Sequence, residues 1–159
     1  MGQVYSLYAT PMTIDDARDV ELQVALLLRL ADHNRRSNPG LDGTLERSAY
    51  LALRHLVTDG PSGINDIAEH LRLDASTVTR QVLAMEAAGL VDRERDENDG
   101  RRAVITATTA GHEALDATRE ARAAVYDELL AGWSTADRVQ LAALLGRLNE
   151  ALDTRRANR

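Results

Sequence analysis

Residues 75–111 read ASTVTRQVLAMEAAGLVDRERDENDGRRAVITATTAG, and this stretch decides the fold. Apolar residues recur at helical spacing over 76–88, and Gly89 is the residue type preferred just after a helix ends. Residues 90–95 and 101–108 favour two strands, because the Asp-Gly step between them is a good hairpin signal. The stretch therefore predicts a helix followed directly by a β-hairpin.

The residues before this stretch extend the pattern. A short helix is expected over 65–71, and residues 72–74 form a tight turn before the next helix, so the pair is a helix-turn-helix candidate. A longer helix is expected over 44–58, and the turn-forming run DGPSG at 59–63 ends it. A hairpin directly after a helix-turn-helix is a wing, so residues 44–108 are expected to form a winged helix-turn-helix lobe.

Long helices flank this lobe. Thr13 is a plausible N-cap for a helix over 14–37 that is apolar nearly all round, and such a helix is buried on two sides, the second most simply by another subunit. A long helix is expected to run to about Leu130, and Ser134 caps the last one. The expected fold class is mainly α with a small β-hairpin wing, in a single domain over 1–159. No function is assigned to the uncharged segment at the N-terminus.

Four short motifs resemble those of the multiple-antibiotic-resistance regulator (MarR) family. TVTR at 77–80 resembles the core of the family's recognition helix, and GLVDR at 89–93 resembles its junction with the wing. DGR at 99–101 matches the wing tip, and TATTAG at 106–111 resembles the segment that leads out of the wing. The order of elements over 14–152 matches as well, so the motifs are fairly specific in combination.

The resemblance implies a sequence-specific DNA-binding transcriptional regulator, a homodimeric repressor released by a small-molecule ligand. Helices within 14–37 and 109–155 would form the dimer, and the lobe over 44–108 would bind a pseudo-palindromic operator in double-stranded DNA. The effector would be small and anionic or phenolic, and no residue is assigned to it. The polar or aromatic groups expected near such a ligand are His33, Arg54, His55 and Trp133.

The predicted recognition helix has two distinct faces. Val78, Val82 and Met85 fall on one narrow face of the helical wheel, which is the expected core side. Arg80 lies opposite among small residues, and its guanidinium can donate two hydrogen bonds to guanine O6 and N7, worth about 1–3 kcal/mol of discrimination. Arginines of the wing are attracted to the negative potential of the minor groove. The expected DNA-binding residues are Ser76, Thr77, Thr79, Arg80, Gln81, Arg95, Arg101 and Arg102.

Simpler interpretations stand beside these assignments. Arg80 could be a solvent-exposed residue paired with Asp74 or Glu69. The hydroxyls at the start of this helix could cap its N-terminus instead of binding DNA. Arg101 could form a structural ion pair with Asp99, which is compatible with DNA binding because the carboxylate can aim the guanidinium.

The charge balance limits how strongly this chain could bind DNA. The chain has 25 acidic residues against 19 basic ones, all of the latter arginine, and a net charge of -6. Residues 1–60 carry a net charge of -2, residues 61–108 carry -3 and residues 109–159 carry -1. Since the expected lobe is no more basic than the rest, DNA affinity would rest on few arginines and show a modest dependence on salt.

Other classes of protein agree less well with this sequence. The chain has no cysteine, which excludes disulfides, thiolate metal sites, cysteine nucleophiles and thiol-based sensing. The four histidines are scattered, and His112 with Asp116 supplies too few ligands for a metal, so no enzyme activity, metal or cofactor is expected. No apolar run could span a bilayer, and a cytoplasmic location is expected. The alternative is a winged-helix protein-interaction module or a ligand-sensing dimer that does not bind DNA.

Overall fold

The computed structural model describes residues 13–95 and 103–157. These residues divide into two compact units, the first ending at Asp42 and the second beginning at Gly43. In the first unit, helix α1 spans Ile14–Ser37 and a short 3₁₀ turn spans Pro39–Leu41. The predicted cap is confirmed: Thr13 Oγ1 accepts a hydrogen bond from the Asp16 amide at 3.2 Å, and the Asp16 carboxylate accepts one from the Thr13 amide at 3.0 Å. The hydrogen bonds from Thr13, its side chain first, lower the pKa of Asp16.

Helix α1 buries none of its residues. Its exposed large apolar side chains are Ile14, Val20, Leu22, Leu27, Leu28 and Leu30. Within the described residues, no helix combines the length and the apolar composition needed to cross a bilayer.

The second unit contains the predicted winged helix-turn-helix, and the mainly helical fold class is confirmed. Its elements are α2 (Arg47–Asp59), β1 (Ser62–Gly63), α3 (Ile64–Leu71), α4 (Ala75–Ala87), β2 (Val91–Arg95), β3 (Ala103–Ala107), α5 (Thr109–Leu129) and α6 (Thr135–Ala157).

Helix α2 begins at Arg47, three residues later than expected from the sequence. The backbone of Leu45 is bound to α5 instead: its amide donates to Thr118 Oγ1 at 3.1 Å, and its carbonyl accepts from Arg122 Nη2 at 2.8 Å. The Arg122 guanidinium also lies 4.4 Å from the centre of the Tyr50 ring, a cation–π contact. Side chains of α5 therefore set where α2 can begin.

The hairpin forms part of a three-stranded antiparallel sheet in the order β1-β3-β2. In its register Ser62 pairs with Ile105, and Ile105 pairs on its other side with Arg93. Sequence reasoning placed 61–63 in a turn and missed β1, because two residues have no periodicity to detect. Tertiary pairing with β3 alone makes this segment a strand.

The core of the second unit lies where the lobe's helices meet the sheet. Leu53 of α2, Ile67 of α3, Val82 of α4 and Ile105 of β3 are fully buried, and Leu115 brings α5 against them. Burial of each such side chain contributes about 1.5–3 kcal/mol relative to exposure.

Two residues with positive φ control the direction of the recognition helix α4. Arg72 ends α3 in the left-handed conformation, with φ of 54° and ψ of 40°, and its amide donates to the Glu69 carbonyl at 3.2 Å. Gly89, with φ of 71°, follows the end of α4, as the sequence predicts. The expected three-residue turn and the expected glycine terminator are both confirmed.

Candidate nucleic-acid interface

Helix α4 has the two faces that its sequence predicts. Val78, Val82 and Met85 are buried in the core, with at most 3% of each residue exposed. Ser76 and Arg80 lie on the opposite side and are exposed. The hydrophobic face thus fixes the helix against the core, and the polar face lies at the surface of the lobe.

The hydroxyl groups at the start of α4 do not cap it. The N-cap residue is Asp74, and no side-chain hydrogen bond caps this helix. Ser76 is exposed and Thr77 is half-buried, both inside the first turn. Thr79 is half-buried, and its hydroxyl donates to the Ala75 carbonyl at 2.7 Å, which leaves the oxygen able to accept.

Arg80 forms neither of the ion pairs considered from the sequence. Among the described residues, no acidic group lies within ion-pair distance of its guanidinium, so Asp74 and Glu69 are not its partners. An exposed arginine without a protein partner keeps all its donors for a ligand. The face around it is made of small residues, with Ala84 one turn further on.

Gln81 points toward α2. Its Nε2 atom donates a hydrogen bond to Ser48 Oγ, and its buried Oε1 atom has no hydrogen-bond partner in the described part of the chain. Its amide is therefore less available to solvent than the Arg80 guanidinium. An open cleft of about 420 Å³ lies beside it, lined by Glu46, Ala49, Thr77, Arg80, Gln81, Ala84, Met85 and Leu90.

The wing strands place one expected contact at the surface. Arg95 is exposed at the end of β2 and pairs with Ala103 of β3. Arg101 and Arg102 lie outside the described residues. Sequence reasoning did not single out Arg93, which is exposed and lies two residues before Arg95, hence on the same side of the strand. The alternation of side chains along a strand is the sequence signal that could have identified Arg93 as a candidate contact.

The candidate effector residues have different surroundings. His33 of the first unit is exposed, and so are Arg54 and Trp133 of the second. His55 is half-buried, with hydrogen bonds to Asp59 and Ser62. The hydrogen-bond partners of His55 among the described residues include neither Arg54 nor Trp133.

His112 and Asp116, which the sequence places one helical turn apart, both lie on α5. His112 is exposed on α5, and the Asp116 carboxylate lies 3.3 Å from Arg119 Nη1. An arginine at this distance competes with any cation for the carboxylate.

Known proteins are similar to this chain in sequence and in fold. The MarR family model matches residues 45–103, which run from just before α2 into β3. An HTH-type transcriptional regulator of Bacillus subtilis, YxaD, is 37% identical over 132 residues, which cover 83% of this chain and 92% of the relative.

Solved structures extend the likeness to the whole fold. A probable transcriptional regulator from Pseudomonas aeruginosa superposes with a TM-score of 0.66 at 28% identity, covering 81% of this chain and 98% of its own. The regulator PcaV of Streptomyces coelicolor, solved with its natural ligand, superposes with a TM-score of 0.67 at 24% identity, covering 89% and 99%. Likeness at this lower identity concerns the fold alone.

Proposed function

Because this chain belongs to the MarR family of DNA-binding transcriptional regulators, we propose that it is a homodimeric repressor that a small molecule releases from a pseudo-palindromic operator. The observation that carries the proposal is α4, which buries Val78, Val82 and Met85 and presents Arg80 on a small-residue face. Such a face lets the backbone enter the major groove closely enough for side chains to reach base edges.

The contacts with DNA divide by their chemistry. Arg80 reads a guanine through two donors, because its planar guanidinium matches O6 and N7. Ser76 and Thr77 bind phosphates or bases through their hydroxyls. The Thr79 oxygen accepts from a base amino group, because its hydroxyl proton is donated to the Ala75 carbonyl. Gln81 contributes where its amide can leave Ser48. Contacts with bases confer sequence preference, whereas contacts with phosphates set the position of the lobe on the duplex.

The wing supplies the second set of contacts. Arg95, and Arg101 and Arg102 beyond it in the chain, would reach the flanking backbone and minor groove, where the potential is most negative. Arg93 joins this set because it is exposed on the same side of β2 as Arg95. With a net charge of -3 over residues 61–108, non-specific attraction is weak and specificity depends on these few arginines.

Dimerisation is supported by apolar surface on the helices outside the lobe. Helix α6 exposes Val139, Leu144, Leu145 and Leu152, and the end of α5 exposes Tyr126 and Leu129. Large apolar side chains grouped in this way mark an interaction surface. We assign the dimer to helices within 14–37 and 109–155 and the DNA-binding lobe to 44–108, in one functional domain over 1–159 that acts in the cytoplasm.

Release requires a ligand with different affinities for two spacings of the recognition helices. The proposal is supported by PcaV, a protein of similar fold whose structure was solved in complex with its natural ligand. A small anionic or phenolic compound is the proposed effector here. Arg54 and Trp133, which are exposed, are better placed to meet it than His55, which already has two hydrogen-bond partners.

The direct test is to sequence genomic DNA retained by the purified protein and to measure gel shifts with those fragments and with the DNA upstream of its own gene. We expect enrichment of fragments that share an inverted repeat, and a shift at low salt. No enrichment and no shift at low salt would overturn the regulator proposal and favour a winged-helix module that binds protein or senses a ligand.

The oligomeric state is tested with a matched pair of substitutions. Leu145 of α6 and Leu51 of α2 are both 38% exposed, but only Leu145 lies on a proposed dimerisation helix. Leu145→Glu should convert the dimer into a monomer in light scattering, and Leu51→Glu should not. A monomeric wild-type protein would contradict this part of the proposal.

A further inference from the structure

We propose that His55, Asp59 and His70 form a binding site for a divalent transition-metal ion such as Zn²⁺. The three side chains each offer one ligand atom, and these atoms lie within 4.8 Å of one another. The site lies at the carboxyl ends of α2 and α3. It is independent of the DNA-binding proposal, because metal binding can be measured without DNA.

Helical spacing brings the first two ligands together. His55 and Asp59 are four residues apart on α2, so they lie on the same face, one turn from each other. His55 Nδ1 and Asp59 Oδ2 are 2.7 Å apart. His70 comes from the last turn of α3, and its ring stacks on that of His55 with centroids 4.1 Å apart and an angle of 29° between the planes. Because the nitrogen lone pairs of an imidazole lie in the plane of the ring, His70 must turn out of this stack to bind the same ion as His55.

The hydrogen bonds around His55 direct one nitrogen toward the proposed ion. Ser62 Oγ donates to the Gly60 carbonyl at 3.1 Å and also lies 3.1 Å from His55 Nε2, with which it forms a hydrogen bond. His55 Nδ1, the other ring nitrogen, faces the Asp59 carboxylate. A hydrogen bond joins these two atoms at 2.7 Å, and a metal ion that binds both would take the place of its proton.

A metal ion can replace that proton if the two exposed ligands, Asp59 and His70, change rotamer. Zn–N and Zn–O bonds of about 2.0–2.2 Å place neighbouring donor atoms of a tetrahedral site about 3.3 Å apart. The pair at 2.7 Å must widen slightly, and the third ligand must approach. His70 and Asp59 are exposed and can rotate, whereas His55, with 10% of its side chain exposed, is the fixed ligand.

The donor set selects the class of ion. Two imidazoles and a carboxylate suit Zn²⁺ and its transition-metal neighbours, whereas Mg²⁺ and Ca²⁺ prefer all-oxygen sites. Ser62 acts as the outer partner that orients the His55 ring, a role usual for hydrogen-bond partners of metal-bound histidines. Since Ser62 also pairs with Ile105 of the wing strand β3, the bound ion would connect α2, α3 and the base of the wing.

The test uses tag-free, chelator-treated protein, titrated with Zn²⁺ by calorimetry and with Co²⁺ by its visible absorption. We expect one ion per chain and an increase in the Tm of the wild-type protein on adding Zn²⁺. His70→Ala and Asp59→Asn, both at exposed positions, should weaken Zn²⁺ binding by about tenfold or more and abolish the increase in Tm. Circular dichroism verifies that each variant is folded.

The matched control is His112→Ala, because His112 and Asp116 share the four-residue spacing of the first two ligands. This variant should bind Zn²⁺ as the wild type does. The proposal is overturned if the wild type binds no Zn²⁺, if His70→Ala and Asp59→Asn keep wild-type affinity, or if His112→Ala loses as much affinity as they do.

Discussion

Arg72 Nε donates a hydrogen bond of 3.0 Å to Asp153 Oδ1 and so joins two residues 81 positions apart in the chain. Arg72 is the left-handed residue in the turn of the helix-turn-helix, and Asp153 lies near the end of α6. The side-chain hydrogen bond and then the charge of the partner lower the pKa of Asp153 and raise that of Arg72. The contact connects the DNA-binding lobe with a helix proposed to form the dimer.

Replacing the carboxylate should have an effect that depends on pH. A lowered carboxyl pKa means that the contribution to stability is present above the ordinary value of 3.8 and is lost as the pH falls through the lowered pKa. Asp153→Asn should therefore have a lower urea midpoint than the wild type at neutral pH, and the difference should shrink below about pH 3.8. Asp92→Asn, at an exposed carboxylate on β2 without a partner among the described residues, is the control. An unchanged difference at low pH would contradict the assignment.

The left-handed backbone at Arg72 predicts an order among its variants. Arg72→Ala and Arg72→Gly both remove the ion pair, but only glycine adopts a φ of 54° without steric cost. We expect Arg72→Gly to be the more stable of the two in thermal unfolding. If alanine were equal or better, the turn would have to change conformation in the variants.

Two arginines should differ in what they contribute to DNA binding. Arg80→Ala should cost about 1–3 kcal/mol of discrimination at one base pair of each half-site. Arg95→Ala should weaken binding to all sequences alike and reduce the salt slope by about 1 per subunit. Arg119→Ala removes the same charge from α5 and should do neither. Gel shifts with single-base operator variants, repeated at several salt concentrations, separate these effects. Loss of sequence preference in Arg95→Ala instead would reverse the assignment.

Thr118 is the buried polar residue that holds the segment before α2. It is 2% exposed, and its hydroxyl accepts from the Leu45 amide at 3.1 Å. Thr118→Val keeps the volume but leaves that amide without its acceptor, which should cost about 1–3 kcal/mol of unfolding free energy. Thr118→Ser keeps the hydroxyl and should cost less. Urea titrations of both variants would reveal the difference, and equal losses would show that packing of the methyl group is what matters.

Gly111 is predicted to be intolerant of any side chain. A Cβ atom at this position would lie 2.1 Å from the Leu90 carbonyl oxygen, at the junction between wing and α5. Gly111→Ala should lower the free energy of unfolding by about 1–3 kcal/mol, as overpacking does. Gly132→Ala, where a Cβ meets nothing within 4 Å, is the matched control and should be close to neutral. Comparable stability of the two variants would contradict the close approach.

Local sequence patterns determined the faces of the recognition helix and several helix ends in this protein. The 3.6-residue period of α4 is sufficient to assign Val78, Val82 and Met85 to the core and Arg80 to the surface, because neighbours on a helix face are set by geometry alone. The cap at Thr13 and the terminator at Gly89 follow from groups one turn apart. These features need no knowledge of the rest of the chain.

Contacts between distant segments were decided only by the tertiary structure. The strand at Ser62 exists because β3 pairs with it, and the start of α2 depends on side chains of α5. The approach of His70 to His55 depends on how α3 packs against α2. The sequence determined which face each segment presents, since hydrophobic periodicity is a local property. The packed core determined which faces meet, because only burial brings residues far apart in the chain within bonding distance.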